Sequence, residues 1–409
     1  MLRAFKTEVE LTDQQKRTFA RTVGVMRFVK NMYIERNQEV YKTEKRFVTA
    51  YEFSVWLNNE YLAENPDKQW IKEVYQKAVK QSILNTEAAY KRFFKGQAKY
   101  PRFACKSKQG TKFYFVRNGK NQPIKASRVS IQVPTMGWVS IKEKGYIPVD
   151  GIRSGTIQQR GGRYFISVLA DVDLPDKQAA GHTGVQPDGL GLGLDFGIKS
   201  PVMDSNGNSM TDIEKTERVR FLEKKLKRER RRLSRMWEAN IKDKQYYTSG
   251  KKKGQLKSFS YKRPLRECRN YQKQRKVVQG ILLRLDNIRL DTQKQKVAEW
   301  VRAKPAYIAI EDLNVKGMLK NRHLARAVSN RNFYRMRLLL TQKCAEYSIQ
   351  LRIVNRWYPS SKTCNNCGYY KAELKLSDRV FACPECGVKL DRDYNAAMNL
   401  RDTKDYVIL

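Results

Sequence analysis

The chain has 409 residues, with 82 Lys and Arg against 41 Asp and Glu, and a net charge of +41. Its 41% hydrophobic content supports a real core and excludes a disordered basic tail, and its length suggests two or three domains. The positive excess runs through the whole chain and attracts polyanions, so nucleic acid is the expected partner. A small, highly charged protein of a ribosome-like assembly is the bland alternative, but such proteins seldom need buried acidic residues.

Seven cysteines do not make an even disulfide set. Four fall in two C-x-x-C pairs, while Cys105, Cys268 and Cys344 stand alone, which points to a reducing compartment and one metal site. The start has no apolar core of a signal peptide, and no run of about 18 apolar residues could span a membrane. The expected setting is the cytosol, with intracellular nucleic acid as partner and no membrane partner.

In chain order, residues 1–10 read as a strand, and Thr12 opens a helix with Gln15 as capping-box partner. Phe19, Val23, Met26 and Tyr33 recur at helical spacing, and helical pattern continues from Tyr51 to Phe94. Pro101 ends the helices. Residues 112–175 are strand-like in KFYFV, RVSIQV, GWVSIK and RYFISVLADVDL, the last with Ile166, Val168, Ala170 and Val172 on one face, which suggests a small barrel or sandwich. The stretch 176–190 reads as a linker.

GLGLDFG then gives a strand, followed by a hairpin turning at Asn206-Gly207. Residues 212–238 predict a helix so charged all round that little of it can be core. Residues 240–262 read as a mobile basic connection. A long helix over Leu265–Arg302, a buried strand AYIAIEDL, a polar loop, a helix over Phe333–Tyr347, a strand LRIVNR, the cysteine pairs and a final helix follow.

The cysteine signal is the most specific. Cys364-x2-Cys367 and Cys383-x2-Cys386 stand 15 residues apart, each followed directly by a glycine, Gly368 or Gly387. Two such knuckles close four thiolates around a structural zinc with no open coordination position. Chance pairs or a redox dithiol are the alternative.

Three carboxylates form the second signal. Asp195 lies inside an apolar strand, Glu311 closes another, and Asp393 precedes a helix whose N-terminus favours negative charge. A site for phosphodiester cleavage needs several carboxylates converging on magnesium or manganese. Singly, Asp195 could be a turn residue, Glu311 an Arg partner and Asp393 a helix cap. Asp312 and Asp391 compete for the same roles, although strand alternation points Asp312 away from Glu311. With only His182 and His323 in the chain, histidine acid–base chemistry is disfavoured. No Walker loop or nucleophile elbow is present. Arg228, Arg231 and Arg232, in the charged helix, are candidates for phosphate contact, against a merely solvated face. The aromatic residues Tyr41, Phe47, Tyr51, Tyr90, Phe93 and Phe94 could stack on bases, though core is the commoner role.

The order LDFG, AIEDL, CxxC…CxxC and DRDYNAAMN resembles the TnpB (OrfB) family encoded by insertion sequences, and VGVMRFVKN, AAYKRFF and KYPRF carry the resemblance to the N-terminus. The resemblance implies an RNA-guided DNA endonuclease related to the type V CRISPR effectors. The implied fold is multidomain α+β. A wedge β-barrel (1–10 and 100–180) holds a helical recognition insert (11–99). After a linker (181–189) comes a RuvC α/β domain of ribonuclease H-like fold (190–355 and 388–401) with an inserted zinc ribbon (356–387), then a tail (402–409). It further implies Asp195, Glu311 and Asp393 as catalytic triad and Mg2+ or Mn2+ ligands, zinc on Cys364, Cys367, Cys383 and Cys386, and a guide RNA from the transposon end, one protein per RNA, on double-stranded target DNA. By position, Tyr51, Gln76 and Lys80 are expected to read a short target-adjacent motif, and Lys320 and Arg322 to lie in a lid over the heteroduplex. A compact type V CRISPR effector, a guide-dependent repressor with a dead site and a strand-joining transposase are the competing readings.

Overall fold

The structure, a computed structural model, describes residues 2–105, 111–117, 123–172, 190–198, 200–250, 253–375 and 377–409. It divides into two compact units, Met1–Leu174 and Pro175–Leu409. The expected linker 181–189 and His182 lie outside the described residues.

The first unit opens with β1 (Leu2–Glu10) and α1 (Asp13–Glu44). Thr12 caps α1 through the expected box: Gln15 N donates to Thr12 Oγ1 at 3.3 Å and Thr12 N to Gln15 Oε1 at 3.0 Å. The helical pattern expected from Tyr51 to Phe94 is broken into α2 (Ala50–Trp56), a π-helical turn at Leu57–Tyr61, α3 (Leu62–Glu64), a 3-10 turn at Pro66–Ile71, and α4 (Gln76–Phe94). Pro66 lacks the N–H that a continuing helix needs and stands instead at the first position of the 3-10 turn. Val29, Tyr33, Phe53, Leu57, Val79 and Ile83 pack these helices together.

The strands of this unit are β2 (Thr111–Val116), β3 (Ser130–Val133), β4 (Gly137–Ile141), β5 (Ile152–Arg160) and β6 (Arg163–Asp171). With β1 they form one antiparallel sheet in the order β2-β5-β6-β1-β4-β3. The sheet curls around a single core in which Phe113, Phe115, Ile131, Val139, Ile166 and Val168 meet Phe19 and Val23 of α1. No ladder among the described residues joins the edges β2 and β3. Strand β5 departs from expectation: IRSGTIQQR breaks apolar alternation because Gly155 takes an inward place beneath the Phe115 ring, where a Cβ would come within 2.2 Å of it.

The second unit begins with β7 (Leu192–Asp195), β8 (Met203–Asp204), α5 (Glu217–Ala239), β9 (Ile241–Tyr246), β10 (Leu256–Tyr261) and α6 (Arg269–Arg302). Next come β11 (Tyr307–Glu311), α7 (Val315–Met318), α8 (Ala325–Arg331), α9 (Phe333–Glu346), β12 (Gln350–Val354), β13 (Val380–Ala382), β14 (Lys389–Asp391), α10 (Arg392–Asp402) and β15 (Tyr406–Ile408). A five-stranded sheet runs β15-β12-β11-β7-β8, its middle three strands parallel and both edges antiparallel. The parallel strands are short apolar runs, Leu192, Leu194, Ile308, Ile310, Leu351 and Ile353, because helices cover them.

The structure corrects two expectations and adds detail to a third. The supposed mobile connection 240–262 is a two-stranded ribbon, β9 on β10, anchored where Trp237 Nε1 donates to the Tyr261 hydroxyl at 3.0 Å. Its alternating short polar residues carry too little apolar signal to mark it. The charged helix α5 has one apolar stripe, Val219, Leu222 and Leu226, packed on Val278, Ile281 and Leu285 of α6. The tail 402–409 contains edge strand β15, fixed to β12 by the Arg352 guanidinium, which lies 3.3 Å from the Tyr307 ring centre and 4.4 Å from that of Tyr406.

Candidate metal and nucleic-acid site

Asp195 ends β7, and Glu311 ends the adjacent parallel strand β11, whose Ile310 pairs in register with Leu194. The two carboxylates therefore emerge at the same end of neighbouring strands. The third comes from α10, which crosses β7 at backbone contact: a Cβ on Gly193 would sit 1.9 Å from the Ala397 carbonyl oxygen. The cap of α10 is Asp391, whose Oδ1 accepts from the N–H groups of Asp393 at 2.9 Å and Tyr394 at 3.0 Å. Capping is thus done by Asp391, and Asp393 stands inside the first turn with its side chain released for other work.

Asp195 lies in the field of both other carboxylates. Burial pushes the Asp195 carboxyl up to about 7, and the negative charges of Asp393 and Glu311 add to the push, with Arg392 opposing it. Glu311 is also raised, by burial and then by Asp312, against Arg356. Asp393 faces two guanidinium groups, Arg392 Nη2 at 3.1 Å and Arg379 Nη1 at 3.5 Å. Asp312 turns away from the group, as alternation predicts: Arg356 and Arg337, the latter at 2.7 Å, hold it below the usual carboxylate range. Carboxylate oxygens are hard donors of the kind that fit divalent magnesium or manganese. Their oxygens are not as tightly grouped as the four cysteine sulfurs, which are the set among the described residues lying within 4.8 Å of one another.

For those cysteines the fit is metric. Cys364 and Cys386 have sulfurs 3.6 Å apart, and Cys367 and Cys383 3.5 Å. A tetrahedral shell with 2.3 Å metal–sulfur bonds requires edges of about 3.8 Å. Backbone N–H groups point at the sulfurs, those of Tyr369 at Cys367 and of Val388 at Cys386, as in two knuckles. Gly368 and Gly387 have φ of 79° and 70°, so the turn after each pair needs a residue without a Cβ. Of the other cysteines, Cys344 is buried in the sheet core, and burial pushes its thiol up to about 12.

The nucleic-acid candidates lie elsewhere. Tyr51, Gln76 and Lys80 line one groove of the first unit with Asn58, Asn59 and Lys77, beside the π-helical turn. The Gln76 amide donates to the carbonyls of Ile71 and Val74, at 2.8 and 3.0 Å, so part of its work is to close the turn into α4. Arg228 and Arg231 line a groove along α5 with Lys224, Lys227 and Arg235, whereas Arg232 is exposed outside it. Lys320 and Arg322 are exposed between α7 and α8, as is His323. Tyr90 is core, and Tyr41, Tyr51 and Phe94 are exposed. Sequence reasoning missed Arg379 and Arg392 beside Asp393 and Arg337 beside Asp312. An arginine's partner depends on the fold, and nothing in a chain this basic singles one out.

Comparison with known proteins adds identity to this geometry. Residues 333–400 match a family profile described as a Cas12f1-like TNB domain. Residues 1–46 match one described as a helix-turn-helix domain of OrfB of IS605 type, although here they form β1 and the single helix α1. A Streptomyces pristinaespiralis protein named "Putative RNA-guided DNA endonuclease" is 29% identical over 97% of this chain and 88% of its own. The Escherichia coli protein "Putative RNA-guided DNA endonuclease InsQ" is 27% identical over 98% of this chain and 91% of its own. A TnpB-like protein of Acanthamoeba polyphaga mimivirus is 37% identical over 23% of this chain and 18% of its own. Among solved structures, the protein in a Cas12f1–sgRNA–target DNA complex aligns over 100% of this chain and 99% of its own, with TM-score 0.56 and 13% identity.

The fold is therefore of the Cas12f1 class, mixed α+β with a curled sheet and a four-cysteine module. Within that class the resemblance to the TnpB (OrfB) family drawn from the motifs is borne out at both ends of the chain and along its length.

Proposed function

We propose that the chain is an RNA-guided, divalent-metal-dependent DNA endonuclease of TnpB type, with a single RuvC-type site on the ribonuclease H-like sheet of its second unit. The observation that carries the reading is that Asp195 and Glu311 end the neighbouring parallel strands β7 and β11 at the same edge, with the charge of Asp393 on α10 also bearing on Asp195.

In this reading Asp195, Glu311 and Asp393 hold magnesium or manganese, which when bound supplies an activated water and stabilises the leaving oxygen at the scissile phosphate. The strand ladder fixes Asp195 and Glu311 side by side, and Asp391 caps α10 so that Asp393 projects from its first turn. Arg337 and Arg356 keep Asp312 out of the site. Arg379 and Arg392 balance Asp393 until a cation shares it. Cys364, Cys367, Cys383 and Cys386 hold a zinc whose role is structural, because four thiolates leave no open position.

The domain plan follows the family: wedge at 1–10 and 100–180, recognition helices at 11–99, linker at 181–189, RuvC at 190–355 and 388–401, zinc ribbon at 356–387 and tail at 402–409. The groove with Tyr51, Gln76 and Lys80 takes the target-adjacent motif of the duplex, and the α5 groove with Arg228 and Arg231 tracks phosphates. Lys320 and Arg322 lie in the lid. Guide pairing reads the sequence, one protein holds one RNA from the transposon end, and the setting is the prokaryotic cytoplasm. Retention of all three carboxylates speaks against a repressor with a dead site.

Sequencing the RNA that co-purifies with the protein tests this reading. One uniform RNA species is expected. A mixture of cellular RNAs would mean that the positive surface binds without selection.

A further inference from the structure

The two faces of α10 do different work. At about 100° per residue, Asp393, Ala397 and Leu400 share one face, and Asn395, Asn399 and Asp402 the opposite one. The first face lies on the sheet, with the Ala397 carbonyl oxygen over Gly193. The second grips Asn365, which sits between Cys364 and Cys367.

That grip is reciprocal. Asn365 N donates to Asn395 Oδ1 at 3.0 Å, and Asn365 Nδ2 donates to Asn399 Oδ1 at 3.3 Å and Asp402 Oδ2 at 2.9 Å. In return Asn395 Nδ2 donates to the Thr363 carbonyl at 2.7 Å, and Asn399 Nδ2 donates to the carbonyls of Ser360 at 2.7 Å and Thr363 at 2.6 Å. Asn395 and Asn399 are 0% and 4% exposed. A buried amide is costly unless its donors and acceptor are all matched, and these are matched only while the first cysteine knuckle stands in place. The second knuckle is tied to the same helix covalently: β14 follows Cys386 and ends at the cap Asp391, and Arg392 N donates to the Arg379 carbonyl at 2.8 Å.

We propose that the four-cysteine module is the positioning device of Asp393, with Asn365, Asn395 and Asn399 as an amide clamp that carries the order of the knuckle to the carboxylate. The inference rests on the reading of Asp195, Glu311 and Asp393 as cation ligands. Asp195 and Glu311 are held by the strand ladder. Asp393 has no ladder, and its placement depends on what α10 touches on both faces. Asn365, Asn395 and Asn399 are thus positioning residues, acting through Asp393.

The test is Mn2+ binding by the full chain, followed by electron paramagnetic resonance, for wild type, Asn395→Ala, Asn365→Ala and Asp195→Ala. Zinc content and backbone hydrogen exchange are measured on the same samples. Asn395→Ala is expected to weaken Mn2+ binding about tenfold, the lower end for loss of an outer-shell support, while keeping one zinc per chain. Exchange at the Asp393 and Tyr394 amides should quicken with Ile308–Ile310 unchanged. Asn365→Ala leaves the sequence of α10 intact and should act in the same direction if Asn395→Ala does not fold. Wild-type Mn2+ affinity and wild-type exchange in a folded clamp variant would overturn the proposal. Mn2+ binding that Asp195→Ala does not reduce would instead overturn the acidic site itself, and this inference with it.

Discussion

Gly193 and Ala397 meet backbone to backbone: a Cβ on the glycine would lie 1.9 Å from the alanine carbonyl oxygen and 2.7 Å from the Arg401 N. This contact sets the height of α10 above β7, and with it the distance from Asp393 to Asp195.

Gly193→Ala therefore forces the helix off the strand, since no rotamer change relieves a clash with backbone. The expected cost is about 3 kcal/mol of stability, at the upper end for overpacking, together with loss of cutting. Thermal unfolding and a cleavage assay measure both. A variant as stable and active as wild type would mean that α10 does not lie against β7 at this height.

The acidic cluster predicts a pH-dependent stability. The Asp195 pKa rises from 3.8 to about 7 on folding. Below 3.8 the carboxyl is protonated in both states and costs nothing; between 3.8 and about 7 the unfolded chain ionises while the folded protein keeps its proton, so stability falls across that window and levels off above it. Without added divalent cation, Asp195→Asn should thus have a higher Tm than wild type by a margin that grows from about pH 4 and is full above about pH 7. Magnesium should stabilise wild type at the upper end of that range and do little for the variant. Scanning calorimetry from about pH 4 to 8 checks this, and a Tm difference independent of pH contradicts it.

Neighbouring acids should separate by function. Asp312 is engaged by Arg337 and Arg356, whereas Glu311 ends β11 beside the end of β7 that carries Asp195. Glu311→Gln should lower cleavage on the order of 100-fold or more, as removal of a direct ligand exceeds loss of an outer one. Asp312→Asn should change it by less than about tenfold through shifts in its arginine partners. The reverse ranking would reassign the pair.

The α5 groove predicts a salt effect. Arg228→Ala with Arg231→Ala should weaken RNA binding without regard to sequence, and should reduce the slope of log affinity against log salt by about 1 for each phosphate no longer neutralised. An unchanged slope would leave this face merely solvated.

Much of this was legible in the sequence because the signals are local. Strands β7 and β11 are short apolar runs that each end in a carboxylate, and the knuckles carry their own spacing and glycines. The Thr12 cap likewise depends on residues three apart. What escaped is not local. Strand β5 is masked by Gly155, which is inward only because Phe115 of another strand fills its place. Ribbon β9–β10 is anchored by a Trp237–Tyr261 hydrogen bond that closes only when the ribbon folds back, and strand β15 is held by the Tyr307–Arg352–Tyr406 stack, whose outer members lie far apart in sequence. The clamp on Asn365 could not be read because Asn395 and Asn399 become buried only after the knuckle folds onto them.

The central claim is that Asp195 serves metal and cleavage and not the fold. Once the co-purified guide is known, wild type and Asp195→Ala are compared with guide RNA, matching duplex and magnesium. Cutting by wild type, with none by Asp195→Ala and undiminished guide binding, is the predicted result. Cutting that survives in Asp195→Ala, or guide binding that disappears along with cutting, would contradict the claim.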